Sequence, residues 1–169
     1  MEINAIKHLS LCIYSIFVVI FITACGDNSG VSATSSGSGA DTKSDTKPLA
    51  TVYKSATCSC CNKWVDHLKE NGFRVVAKDV ENINVYKQKF GVSANLASCH
   101  TAIINGYVVE GHVPASDIKR MLKEKPAFKG LAVPGMPVGS PGMEHGNKKE
   151  PYKVMSFDKD GNKEVFSHH

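Results

Sequence analysis

Leu49-Ala-Thr-Val-Tyr-Lys54-Ser-Ala-Thr-Cys58-Ser-Cys60-Cys61-Asn-Lys-Trp64-Val65-Asp-His-Leu68 is the stretch whose reading decides the fold. Leu49 to Lys54 reads as a short strand. Cys61, Trp64, Val65 and Leu68 then follow the i, i+3, i+4, i+7 pattern of a helix that turns one stripe to a core. That helix is predicted from about Cys60 to Asn71, with Ser59 or Thr57 as N-cap and Gly72 as stop. Cys58, Cys60 and Cys61 therefore gather where a strand meets a helix N-terminus. Such an end favours anions and lowers thiol pKa, so Cys60 and Cys61 are expected to deprotonate readily.

Working outward, Phe73 to Val80 is strand-like and a short polar helix is predicted near Asn84 to Phe90, ending at Gly91. Thr101 to Ile104 and Tyr107 to Glu110 flank Asn105-Gly106, which suits the type I′ turn of a β-hairpin. Pro114 opens a helix from about Ala115 to Glu124, closed by Pro126. The order βαβαββα is that of a thioredoxin-like α/β fold, whose reactive cysteines lie where the first strand meets the first helix. Cys58 and Cys61 fall there as C-x-x-C. In that fold the residue just before the third strand, normally a cis-proline, packs against the C-x-x-C. Ser98-Cys99 holds that place here, so Cys99 is predicted to face the other three thiols. Past Pro126, Gly130 to Glu144 is a Gly/Pro/Met loop in which Pro-Gly-Met occurs twice, and a loop this long is usually functional or disordered. Tyr152 to Phe157 and Lys163 to Phe166, around Asp160-Gly161, are expected to add a C-terminal β-hairpin.

Before the folded part, Lys7 precedes an apolar run from Leu11 to Ile22, too short to span a bilayer and of the length of a signal-peptide core. Ile22-Thr-Ala-Cys25 resembles the lipobox of bacterial lipoproteins, in which the cysteine is diacylated and becomes the new N-terminus. The expected organisation is a lipoprotein signal peptide over 1–24, a tether with lipidated Cys25 over 25–48, and one domain over 49–169. The tether is Gly, Ser, Thr, Asp and Lys without aromatics, a composition that cannot bury enough apolar area to order itself. Gly26 rather than Asp after Cys25 favours the outer membrane by analogy with such lipoproteins.

The formal net charge is +4. Basic residues such as Lys119, Arg120, Lys148 and Lys149 are interleaved with acids and lack aromatic neighbours, so no nucleic-acid partner is expected. No phosphate loop, Ser-His-Asp order or paired carboxylate motif stands out, which leaves hydrolase and nucleotide-dependent classes without support. Of the six cysteines, Cys12 would leave with the leader and Cys25 would carry lipid. In an oxidising compartment the remaining Cys58, Cys60, Cys61 and Cys99 become disulfides unless a metal or a reductant protects them.

Two clean disulfides suit these four poorly, because Cys60 and Cys61 are adjacent. Soft-metal or redox chemistry suits them better. Four thiolates around one Cu(I) would leave three excess negative charges, and bridging several Cu(I) ions neutralises them. His112, past the hairpin, either reaches the edge of such a cluster or satisfies a local hydrogen bond. His100 would point away from Cys99 if the two lie in a strand. His67 is roughly 10 Å along the helix from Cys60, too far to share an ion with it, and reads as an exposed helix residue. His145, His168 and His169 read as incidental. Met136 and Met143 sit in proline-stiffened loop rather than on a periodic apolar face, and thioethers prefer Cu(I) to zinc, so a copper-facing methionine lid is expected.

Several motifs together resemble one family, the CopG-like periplasmic copper-resistance proteins. They are Lys54-Ser-Ala-Thr-Cys-Ser-Cys-Cys-Asn-Lys-Trp64, His67-Leu68, Ser98-Cys-His-Thr-Ala102, Glu110-Gly-His-Val-Pro-Ala115, Gly130-Leu-Ala-Val-Pro-Gly-Met-Pro137 and Gly139-Ser-Pro-Gly-Met-Glu144. The resemblance implies a thioredoxin-like domain that binds several copper ions through its cysteines, as a cysteine-bridged cluster with a redox role. The resulting expectation is a periplasm-facing, lipid-anchored copper-resistance protein, sequestering copper or cycling it between oxidation states as a copper oxidoreductase, in contact with envelope copper-handling proteins. Two other classes stand beside it: a thiol-disulfide oxidoreductase using Cys58 and Cys61, and a structural zinc domain of Cys58, Cys61, Cys99 and His112.

Overall fold

The computed structural model describes residues 47–169. The expectations for the leader, for Cys25 and for nearly all of the tether lie outside the described residues. Among the described residues no helix is long and apolar enough to cross a membrane.

The elements are β1 (Leu49–Lys54), α1 (Ser59–Glu70), β2 (Arg74–Asp79), α2 (Ile83–Lys89), a 3-10 turn (Ala94–Leu96), β3 (Thr101–Ile104), β4 (Tyr107–Glu110), α3 (Ala115–Glu124), β5 (Gly130–Ala132), β6 (Lys153–Phe157) and β7 (Lys163–His168). The strands form one mixed sheet in the order β2-β1-β3-β4-β5-β6-β7. β1 runs parallel to β2 and antiparallel to β3. Asn105 and Gly106, at φ 48° and 88°, make the hairpin turn between β3 and β4, both central residues taking the positive φ that a type I′ turn requires.

Alternation along the strands sends neighbouring residues to opposite faces. Val109 and Leu131 join Trp64, Leu68, Ile118 and Met121 in the larger core under α1 and α3. Val108 and Ala132 join Val92, Leu96 and Phe157 in a smaller one. The stripe read from the sequence of α1, Cys61, Trp64, Val65 and Leu68, is the set of residues that helix buries.

β5 is the one strand the sequence reading left inside the loop. It is three residues long and opens with a glycine, so it carries no alternation to detect. Its place is set by backbone contact: it pairs parallel to β4, and a Cβ on Gly130 would come 2.0 Å from the Val108 carbonyl oxygen. The terminal hairpin then adds to β5 through β6 and so extends the main sheet.

Two histidines expected to be idle are structural. His67 is half-buried, and its Nε2 accepts the Ala115 N–H at 3.1 Å. It thereby satisfies a free donor at the start of α3, where Pro114 offers no side-chain cap. Burial pulls the His67 pKa below its ordinary value, which keeps that nitrogen free to accept. His169 pairs with Asp117 at 2.7 Å and stacks on Tyr152, fixing the end of the chain rather than leaving it loose.

Candidate metal centre

The chain leaves β1 at Lys54 and turns back at once, the Cys58 N–H donating to the Ser55 carbonyl at 3.2 Å. Cys58, not Ser59 or Thr57, is the N-cap of α1, and its Sγ accepts the Cys61 N–H at 3.4 Å. The helix begins one residue earlier than expected, which moves the capping position onto the Cys58 sulfur. Cys58 and Cys61 are joined as a disulfide with Cα atoms 5.3 Å apart. Cys60 and Cys99 are free.

Cys60 Sγ lies 3.4 Å from Cys58 Sγ and 3.9 Å from Cys99 Sγ, although Cys99 comes from a different part of the chain. The four sulfurs all lie within 4.8 Å of one another. Cys99 Sγ is also 3.0 Å from His112 Nε2 and 3.3 Å from His100 Nδ1. Strand alternation does not separate Cys99 from His100, because β3 starts only at Thr101. His100 is fully buried between Trp64 and His112, with ring centroids 4.3 and 5.0 Å away, and its Nε2 has no hydrogen-bond partner.

A buried ionic network holds the Cys99 segment in place. The Ser98 N–H donates to Glu110 Oε1 at 2.6 Å, and the Thr101 hydroxyl donates to Glu110 Oε2 at 2.6 Å. Lys87, from α2, completes it with an ion pair to Glu110 and a 3.1 Å bond to Thr101 Oγ1. Beside it, Gly111 has no room for a side chain, since a Cβ would come 2.5 Å from the Ser98 Cβ and 2.7 Å from the Val133 oxygen. The Lys87–Glu110 pair was not legible in the sequence, where its members stand 23 residues apart.

The Gly/Pro/Met loop packs over the first turn of α1. A Cβ on Gly142 would meet the Cys60 oxygen at 2.8 Å and the Trp64 nitrogen at 2.9 Å. The two Pro-Gly-Met copies differ in placement: Met136 is 51% exposed, whereas Met143 is half-buried and lines a cleft of about 320 Å³ together with Cys60 and His145.

A family profile described as "Protein of unknown function, DUF411" matches residues 96–143, the segment that carries Cys99, His112 and the methionine loop. A solved structure of copper resistance protein CopG, form 2, is 41% identical, with a TM-score of 0.70 over 73% of this chain and 98% of that one. Form 1 is 42% identical, with a TM-score of 0.69 and the same coverage. The chain belongs to the CopG-like copper-resistance family. No curated protein matches it.

In this CopG-like site the electrostatics set each donor's state. The Pro141 carbonyl, which can only accept, lies 2.8 Å from His112 Nδ1, so Nδ1 carries the proton and Nε2 presents its lone pair to Cys99. Burial lowers the His112 pKa, against smaller upward pulls from Pro141 and Glu144. Burial, with help from His112 and Lys87, puts His100 well below its ordinary value. Both rings are therefore neutral donors at neutral pH. The Cys99 thiol is pushed up to about 12, first by burial and then by the neighbouring Cys60. A cation at this point reverses that balance, because it stabilises the thiolate and takes the place of the proton that Cys99 shares with His112. Thiolate sulfur with imidazole nitrogen is a donor set suited to soft, thiophilic metals.

Proposed function

We propose that the protein is a periplasm-facing copper-binding protein of copper resistance, with copper as its cargo. The residues that hold it are Cys58, Cys60, Cys61 and Cys99, with His112 at the edge, and several ions share the bridging thiolates. The observation that carries this reading is the convergence of four sulfurs within 4.8 Å, with His112 Nε2 oriented toward Cys99. The strand order β2-β1-β3-β4, with the cysteines after β1 and Ser98-Cys99 ahead of β3, supports a thioredoxin-like core to which β5, β6 and β7 are added. The zinc reading fares less well, because it leaves Cys60, whose Sγ lies 3.4 and 3.9 Å from those of Cys58 and Cys99, without a role.

That disulfide gives the copper reading a redox side. Forming it from the two thiols releases two electrons and two protons, and two electrons reduce two Cu(II) to two Cu(I). Reduction of the disulfide by an external dithiol would restore both the electrons and two ligands. The same bond also favours a second reading, a thiol-disulfide oxidoreductase working through Cys58 and Cys61. An anaerobic Cu(I) titration of the reduced and the oxidised protein separates the two. The copper reading expects several equivalents in the reduced form, fewer in the oxidised form, and Cu–S with Cu–Cu scattering in X-ray absorption. Equal uptake by both forms would remove the bridged cluster. No uptake together with dithiol exchange activity would leave the oxidoreductase.

We further propose that the leader 1–24 is removed, that Cys25 carries lipid, and that 25–48 tethers the domain to the envelope, with the outer membrane favoured. There it would meet other envelope copper-handling proteins. The motivation is the lipobox-like Ile22-Thr-Ala-Cys25 ahead of a polar, aromatic-free stretch. Metabolic labelling with a fatty acid is expected to mark the wild type and not Cys25→Ser. Equal labelling of both would dispose of the anchor.

A further inference from the structure

Among the site's cysteines, only Cys60 lines the cleft beneath the Gly/Pro/Met loop. Cys61 is buried, and Cys99 faces inward to His112 and His100. The other walls of the cleft include Met143, His145, Lys63 and Val138, so a thioether and an imidazole stand in the same opening as the Cys60 thiol.

These donors sit on fixed backbone. The Met143 N–H donates to the Ser140 oxygen at 2.8 Å and the Gly139 N–H to the Met143 oxygen at 3.0 Å. The Gly142 N–H donates to Glu144 Oε1 at 3.0 Å, and His145 forms an antiparallel bridge with Lys148. Gly142 rests on the Cys60 and Trp64 backbone, so the loop cannot slide along α1 without opening that contact. Two residues before Met143, Pro141 accepts the hydrogen bond that orients His112. One short segment thus walls the cleft and fixes an imidazole of the metal site.

A Cu(I) ion bound by a carrier is not released bare into water. It moves by ligand exchange, and this goes most readily through donors that are soft but weaker than thiolate. Resting on the copper reading above, we propose that the cleft is the port through which Cu(I) enters and leaves the cysteine site, with Met143 and His145 as transient donors that pass the ion to Cys60. Met143 is then a transfer ligand and not a resident one.

The test is kinetic. Cu(I) is supplied anaerobically as its bicinchoninate complex to the reduced full domain, and loss of the chelate colour is followed by stopped flow. Met143→Leu with His145→Gln is expected to load several-fold more slowly than wild type while reaching the same number of equivalents and the same end-point affinity. Met136→Leu, which changes a methionine outside the cleft lining, is expected to load at the wild-type rate. An unchanged rate in the double variant overturns the port. A lower end-point affinity in that variant also overturns it, since Met143 or His145 would then be a resident ligand. Failure of the wild type to take up any Cu(I) would bring down the copper reading and the port together, a result distinct from either of the others.

Discussion

Glu110→Ala is expected to destabilise the domain by about 3–5 kcal/mol, a large share of the roughly 5–15 kcal/mol that holds a domain of this kind together. Glu110 is 0% exposed at its side chain and its partner Lys87 only 7%, so the substitution leaves an ammonium in the interior with a single neutral acceptor, the Thr101 hydroxyl. It also removes the acceptor of the Ser98 N–H and of that hydroxyl. Lys87→Met is expected to cost a comparable amount for the mirror-image reason. The double variant Lys87→Met/Glu110→Ala should lose clearly less than the sum, because a buried charge without a partner costs more than the absence of both. Urea denaturation of the four proteins reads this directly. Additive losses, or single losses below about 1 kcal/mol, would show that water reaches the pair and that the charges are solvated as ordinary surface groups.

Cys60→Ser is expected to have the largest effect on the metal site, removing more than one equivalent of Cu(I) from the reduced protein. Cys60 stands between Cys58 and Cys99, at 3.4 and 3.9 Å, so it is the sulfur best placed to bridge ions shared with both. A hydroxyl keeps most of its volume and none of its softness. Because Cys60 is only partly buried, the change in fold stability should stay within about 1 kcal/mol, which separates loss of ligand from loss of structure. Titration with a Cu(I) chelator, run beside a thermal melt, makes the comparison. Copper binding equal to wild type would reduce the site to a C-x-x-C centre and favour the redox or zinc readings.

Much of the architecture was legible locally. The bounds of β1, β3, β4 and α3 read from the sequence are those observed, because strand alternation, an Asn-Gly turn and a Pro-initiated helix are signals contained within a few residues. The gathering of Cys58, Cys60 and Cys61 was legible for the same reason, and Cys99 followed from its place before β3. What escaped depends on partners distant in sequence. β5 is defined by how closely Gly130 approaches Val108. His67 looks exposed along its own helix and becomes useful only when α3 arrives to donate to it. Lys87 and Glu110 stand 23 residues apart, and their burial depends on each being the other's counter-ion. His100 was judged by strand alternation one residue outside the strand.

The loop over the metal centre begins and ends on neighbouring strands, since Ala132 at the end of β5 pairs with Met155 in β6. Ala132 and Met155 are therefore held about one strand spacing apart, roughly 4.8 Å, whatever lies between them. The entropy of closing such a loop grows only logarithmically with its length, so doubling it would cost the fold about 0.6 kcal/mol. The exposed positions of that segment, Met136 among them, can thus change while Val133 stays in the core, Pro141 on His112 and Gly142 on α1. A change in how fast metal is exchanged would come most cheaply through the covering segment, with the cysteine framework, and the metal it prefers, left intact.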